Sequence, residues 1–131
     1  MEYFVNAKSS SNGQAGFSIR QSTVSFGVAS DEKELPNPAE LLLGAFAACC
    51  LKNIERFSKM LKFHYETAQI EVNAKRQNVP SKITDIQYLI QIKSDDKRLN
   101  VKLLHKNIEK HGTIYNTLKS TCLISGDIQI I

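Results

Sequence analysis

Residues 36–62 read PNPAELLLGAFAACCLKNIERFSKMLK, and this stretch decides the fold. Asn37 is a helix N-cap residue, Pro38 suits the first helical position, and Glu40 stands three residues after the cap. Beyond Pro38 no Gly or Pro breaks the run except Gly44. From Leu41 to Leu51 nearly every residue is apolar or small, so this half is expected to be buried on all sides. From Lys52 onward a stripe emerges. Ile54, Phe57 and Leu61 continue one face, while Lys52, Glu55, Arg56 and Lys59 wet the other.

Cys49 and Cys50 sit where these two halves meet. Neighbours on a helix point about 100° apart, so the two thiols have different surroundings. Cys50 leads at +4, +7 and +11 into Ile54, Phe57 and Leu61, the core stripe. Cys49 leads at +4 and +7 into Asn53 and Arg56, the edge where buried meets polar. A nearby cation favours the thiolate form of a cysteine, and Arg56 is the candidate cation on that face. Cys49 is thus a candidate nucleophile; the competing reading makes both cysteines small core residues.

The whole chain bounds the answer. Its 131 residues suffice for one domain with its own core, with 42% hydrophobic and 23% charged residues. The N-terminus MEYFVNAKSS has no basic segment followed by an apolar one, and no apolar run is long enough for a bilayer. Three cysteines, an odd number, argue for free or redox-active thiols in a cytoplasmic protein and against a disulfide framework. The net charge of +4 comes from cations dispersed among acids, without interleaved aromatics, so a nucleic-acid partner is not expected. No P-loop, dinucleotide glycine pattern, Cys-x-x-Cys or His-x-x-x-His occurs, so neither cofactor nor metal is expected.

Read in order, residues 2–8 suit a first strand and 9–16 (SSSNGQAG) a turn. Residues 17–28 alternate as a strand, with one slip near Gln21 and Ser22 that marks a bulge or a hairpin turn. After the long helix, residues 64–77 and 83–92 alternate as two antiparallel strands around Val79-Pro80-Ser81. Asp95 and Asp96 are placed to start a helix running to about Lys110, with Gly112 as its cap or a kink. A short helix is expected over 115–121 and a last strand over 122–131. This order predicts an α+β fold with antiparallel pairing.

Two stretches resemble the OsmC/Ohr family of thiol-dependent hydroperoxide reductases. Asn37-Pro38-Ala39-Glu40-Leu41-Leu42-Leu43 through Ala47-Ala48-Cys49 is similar to the family's N-P-x-E-L-L-L…A-A-C helix. Its spacing, with the cysteine eleven residues after the proline, selects Cys49. His111-Gly112-Thr113-Ile114-Tyr115-Asn116-Thr117-Leu118 is similar to the family's C-P-V-Y-N-T-L turn. The resemblance covers most of the chain. It implies antiparallel sheets wrapped around the central helix of an intertwined homodimer, with active sites at the subunit interface.

The resemblance further implies a reactive cysteine that is oxidised to a sulfenic acid, an arginine and a glutamate around it, and a resolving cysteine. The first role falls to Cys49. The resolving thiol is expected where Gly112 stands, and is missing. The turn Gly13-Gln14-Ala15-Gly16 puts Gln14 at the family's arginine position, with Arg20 as a possible substitute on the neighbouring strand. Where one branch carries its glutamate this chain has Ala39; Glu40 follows it and is expected to act partly as a helix cap. Tyr115 and Asn116 match the motif turn and are expected to hold it against the central helix. Cys50 or Cys122 remain as alternative partners for an oxidised Cys49, beside a small thiol from solution. None of His64, His105 and His111 is assigned as a general base. The expected activity is reduction of a hydroperoxide by Cys49 with an external thiol reductant. The alternative is a non-enzymatic protein binding a hydrophobic small molecule at the dimer interface.

Overall fold

The computed structural model describes all residues, 1–131, and the chain divides into two compact units, Met1–Leu42 and Leu43–Ile131. The first unit carries a three-stranded antiparallel meander: β1 (Asn6–Ser9), β2 (Ala15–Ile19) and β3 (Ser22–Ser25). β1 starts later than the expected 2–8, because Met1–Val5 have no strand partner. Asn12 and Gly13 turn the chain between β1 and β2; Gly13 has φ +90°, and Asn12 Oδ1 accepts from the Gln14 amide. The slip near Gln21 is a hairpin turn. Ile19 pairs with Ser22, so Arg20 and Gln21 form the loop, and Arg20 itself has φ +51°.

The long helix α1 (Pro38–Met60) begins in the first unit and continues through the second. Its start is a reciprocal capping box. Asn37 Oδ1 accepts from the Glu40 amide at 2.8 Å, and Glu40 Oε1 accepts from the Asn37 amide at 3.0 Å. Its end is a Schellman-type closure: Lys62 turns left-handed (φ +56°), and the Phe63 amide donates to the Ser58 carbonyl at 3.0 Å.

The second unit is built around β4 (Thr67–Asn78), β5 (Ser81–Lys93) and β6 (Leu123–Ile130), in that order, with α2 (Val101–His111) and α3 (Thr113–Leu118) between β5 and β6. β4 and β5 form the long antiparallel hairpin expected from their alternation, closed at Val79-Pro80. β6, however, pairs with β5 in parallel, which corrects the all-antiparallel expectation. The cause is connectivity. A strand that returns through two helices has enough chain to cross back and enter the sheet in the same direction.

The buried face of β5 presents Ile86, Tyr88, Ile90 and Ile92, while Gln87 and Gln91 face outward. Each inward residue continues into its neighbours: Ile70, Ile90 and Ile128 align, as do Val72, Tyr88 and Gly126. The Tyr88 ring lies directly over Gly126, where a Cβ would meet ring carbons at 2.4 Å. Helix α1 contributes Phe46, Cys50, Ile54 and Phe57 to this core, α2 contributes Leu104 and Ile108. Phe46 packs on Tyr88 with ring centroids 5.6 Å apart. Each such large side chain, fully buried, stabilises by about 1.5–3 kcal/mol.

Three further expectations change. α1 is not buried all round in one chain, since Gly44, Ala45 and Ala48 are exposed. α2 starts at Val101 and not at Asp95 or Asp96. Asn100 caps it by accepting from the Leu103 amide, while Asp96 accepts from the His64 and Arg98 amides and pairs with the Arg98 side chain. The Arg98 guanidinium and these amides hold the Asp96 carboxyl well below the usual carboxylate range. α3 starts at Thr113, directly after Gly112, and ends at Leu118.

Candidate functional site

Cys49 is half-buried, and its one polar neighbour is Asn53, a turn further along α1. The Asn53 side chain, only 8% exposed, places Nδ2 3.0 Å from the Cys49 carbonyl oxygen and 3.6 Å from Cys49 Sγ. A backbone carbonyl only accepts, so the atom facing it is the amide nitrogen, whose second hydrogen is free for the sulfur. A Cβ built on Gly112 would lie 3.5 Å from the same Nδ2. Asn53 Nδ2 is therefore close both to the Cys49 thiol and to the turn that joins α2 to α3.

That turn is held from several sides. Asn116 Nδ2 donates to the Lys110 carbonyl at 3.0 Å. Tyr115 packs on Phe46 and His111 on Phe57, with ring centroids 6.3 and 5.6 Å apart. Burial pushes the Tyr115 phenol up, with help from Glu109 and Cys50.

The other two thiols are occupied differently. Cys50 is 1% exposed, and burial, reinforced by Cys49, pushes its thiol up to about 12. Cys122 is buried, and its Sγ donates to the Ile83 carbonyl at 3.3 Å. All three cysteines are free.

Of the residues singled out in the sequence, Cys49, Tyr115 and the Gly112 turn come together through Asn53 and Phe46. Arg56 is exposed, and its guanidinium lies over the Phe57 ring, 5.4 Å from the centroid. Glu40 is engaged in the α1 cap, Gln14 ends the β1–β2 turn, and Arg20 sits in the β2–β3 turn and not on a strand face; all three belong to the first unit. A surface cavity of about 480 Å³ lies at the C-terminal end of α1 between Glu55, Lys59 and Tyr65 and does not include Cys49. No three His, Cys, Asp or Glu side chains are grouped to hold a metal ion.

Two arrangements escaped sequence reading. Asn53 was visible only as the residue at +4 on the Cys49 face. Tyr88, His105 and Glu109 form a polar cluster from separate elements: the Tyr88 hydroxyl is 2.7 Å from His105 Nε2 and 3.3 Å from Glu109 Oε1. No local pattern announces a pairing across seventeen residues.

The sequence profile described as OsmC-like protein matches residues 30–125, which include α1, β4, β5, the start of β6 and the Gly112 turn. The chain belongs to the OsmC-like family. No curated protein matches it in sequence. Among solved structures, the OsmC-like protein of Mycoplasma pneumoniae is similar over 100% of this chain and 98% of its own, with TM-score 0.88 at 16% identity. The organic hydroperoxide resistance protein OsmC of Legionella pneumophila, also described as a predicted redox protein, covers 98% and 97% at TM-score 0.71 and 14% identity. The organic hydroperoxide resistance protein of Bacillus subtilis covers 98% of both chains at TM-score 0.68 and 12% identity. At these identities the likeness shows the fold. In this OsmC-like protein no helix is long and apolar enough to cross a membrane.

Proposed function

We propose that this OsmC-like protein reduces hydroperoxides with Cys49 as its only reacting cysteine and an external thiol as reductant. The observation that carries the reading is the half-buried Cys49 thiol with a buried amide donor beside it, while Cys50 and Cys122 are buried and Cys122 donates to the Ile83 carbonyl. The Cys49 thiolate attacks the peroxide; an S–O bond forms, the O–O bond breaks, and the departing alkoxide takes a proton to leave as an alcohol. Sulfur is oxidised to a sulfenic acid. A first external thiol displaces water to give a mixed disulfide. A second releases Cys49 and leaves as the external disulfide.

Glu40 supports this site by fixing the start of α1, and Tyr115 by seating the Gly112 turn against Phe46. Arg56, Arg20 and Gln14 remain candidates for peroxide contacts, supported by the family resemblance. The protein works as a homodimer in the cytoplasm, a reading supported by its free thiols and by the exposed Gly44, Ala45 and Ala48 face of α1, which a second copy would cover.

The test uses one equivalent of an organic hydroperoxide on the reduced protein, read by intact mass with a sulfenic-acid trap. Rapid oxidation that disappears in Cys49→Ser supports the peroxidase. Sluggish oxidation, or oxidation indifferent to Cys49→Ser, overturns it and leaves the binding of a hydrophobic small molecule on this fold. Light scattering checks the dimer: a monomer at micromolar concentration would refute that part.

A further inference from the structure

The geometry points to Asn53 as the donor that favours the ionised form of the Cys49 sulfur, in the place of the arginine for which this chain has Gln14. This rests on Cys49 being the reacting thiol. The amide meets the requirements of such a donor. It has two hydrogens and no charge to desolvate, it is 92% buried by its 8% exposure, and its nitrogen is anchored on the Cys49 carbonyl at 3.0 Å. From that anchor it reaches Sγ at 3.6 Å. Hydrogen bonds to an ionised group are about twice as strong as those between neutral ones, so the contact strengthens when the sulfur ionises.

Asn53 also reaches the Gly112 turn, since its Nδ2 lies 3.5 Å from where a Cβ of residue 112 would stand.

The charged and titratable groups near this contact are few. On α1 they are Cys50, uncharged at neutral pH, and the exposed Lys52 and Arg56. On α2 and α3 they are Glu109, engaged with His105 and Tyr88, His111 against Phe57, and Tyr115, uncharged at neutral pH. All are retained when Asn53 alone is changed.

The experiment follows Cys49 alkylation by iodoacetamide, mapped by mass spectrometry, from pH 6 to 10 in the wild-type protein and in Asn53→Leu and Asn53→Asp. Losing the donor is expected to slow Cys49 about tenfold at neutral pH, with rates converging at high pH where the thiol is fully ionised. Asn53→Asp, nearly the same size, puts a carboxylate beside the sulfur and is expected to be slower than Asn53→Leu at neutral pH. A purely structural Asn53 would change the stability of Asn53→Leu and leave its pH profile as in wild type; that result overturns the proposal. If Asn53→Leu fails to fold, Asn53→Ala, which also removes the donor without adding a charge, decides in its place. No peroxide is used, so a failure of the peroxidase reading leaves this outcome separately readable.

Discussion

A Cβ on Gly112 would stand 2.9 Å from the carbonyl oxygen of Ile108, closer than side chains approach backbone. The turn has thus closed over the position where the family pattern carries a thiol. Gly112→Cys is expected to cost about 1–3 kcal/mol, because backbone and not a flexible side chain must yield. It is not expected to form a rapid disulfide with Cys49 while Asn53 Nδ2 lies against the new side chain. Urea unfolding and thiol counts after one equivalent of peroxide check both; an undiminished stability with fast loss of two thiols would contradict this account.

The capping box assigns Asn37 and Glu40 a mechanical role. Asn37→Ala removes the acceptor for the Glu40 amide and is expected to cost about 1 kcal/mol, read as a thermal midpoint a few degrees lower. Glu40→Gln preserves the side-chain acceptor for the Asn37 amide and is expected to be nearly neutral. If Glu40→Gln instead slows oxidation of Cys49 at unchanged stability, Glu40 acts on the chemistry as well.

Cys50 makes the protein sensitive to alkali. Its thiol is pushed up to about 12 in the folded state by burial, above an ordinary value of 9.0. The folded state therefore holds this proton more tightly than the unfolded one. The associated stability is complete below pH 9 and is lost as pH rises towards 12, at up to about 1.4 kcal/mol per pH unit. Tyr88, also raised by burial, acts in the same direction. Urea midpoints between pH 8 and 11 are expected to fall more steeply in wild type than in Cys50→Ala. At pH 8 iodoacetamide should label Cys49 and spare Cys50 and Cys122 until denaturant is added.

Lys62 holds a left-handed conformation (φ +56°) at the end of α1, which costs a non-glycine residue about 1 kcal/mol. It is exposed and has no ion-pair partner. Lys62→Gly is expected to stabilise by about 0.5–1 kcal/mol, seen as a higher thermal midpoint; a lower one would show that the lysine contributes something beyond the cap.

Local chemistry determined much of this protein. The Asn37–Glu40 cap, the apolar run after it, the alternation of β4 and β5, and the different faces of Cys49 and Cys50 all follow from spacing along the chain. The Cys49 motif and the missing thiol at Gly112 were legible for the same reason. Tertiary structure decided the rest. The parallel entry of β6 depends on where the α2–α3 crossover delivers the chain. The helix start at Asn100 was decided when Asp96 was drawn to His64 and Arg98. The meeting of Asn53 with Gly112, and of Tyr88 with His105, joins residues far apart in sequence. Periodicity reports which face of an element is buried; which side chain from another element lies against it is set only when the core is packed.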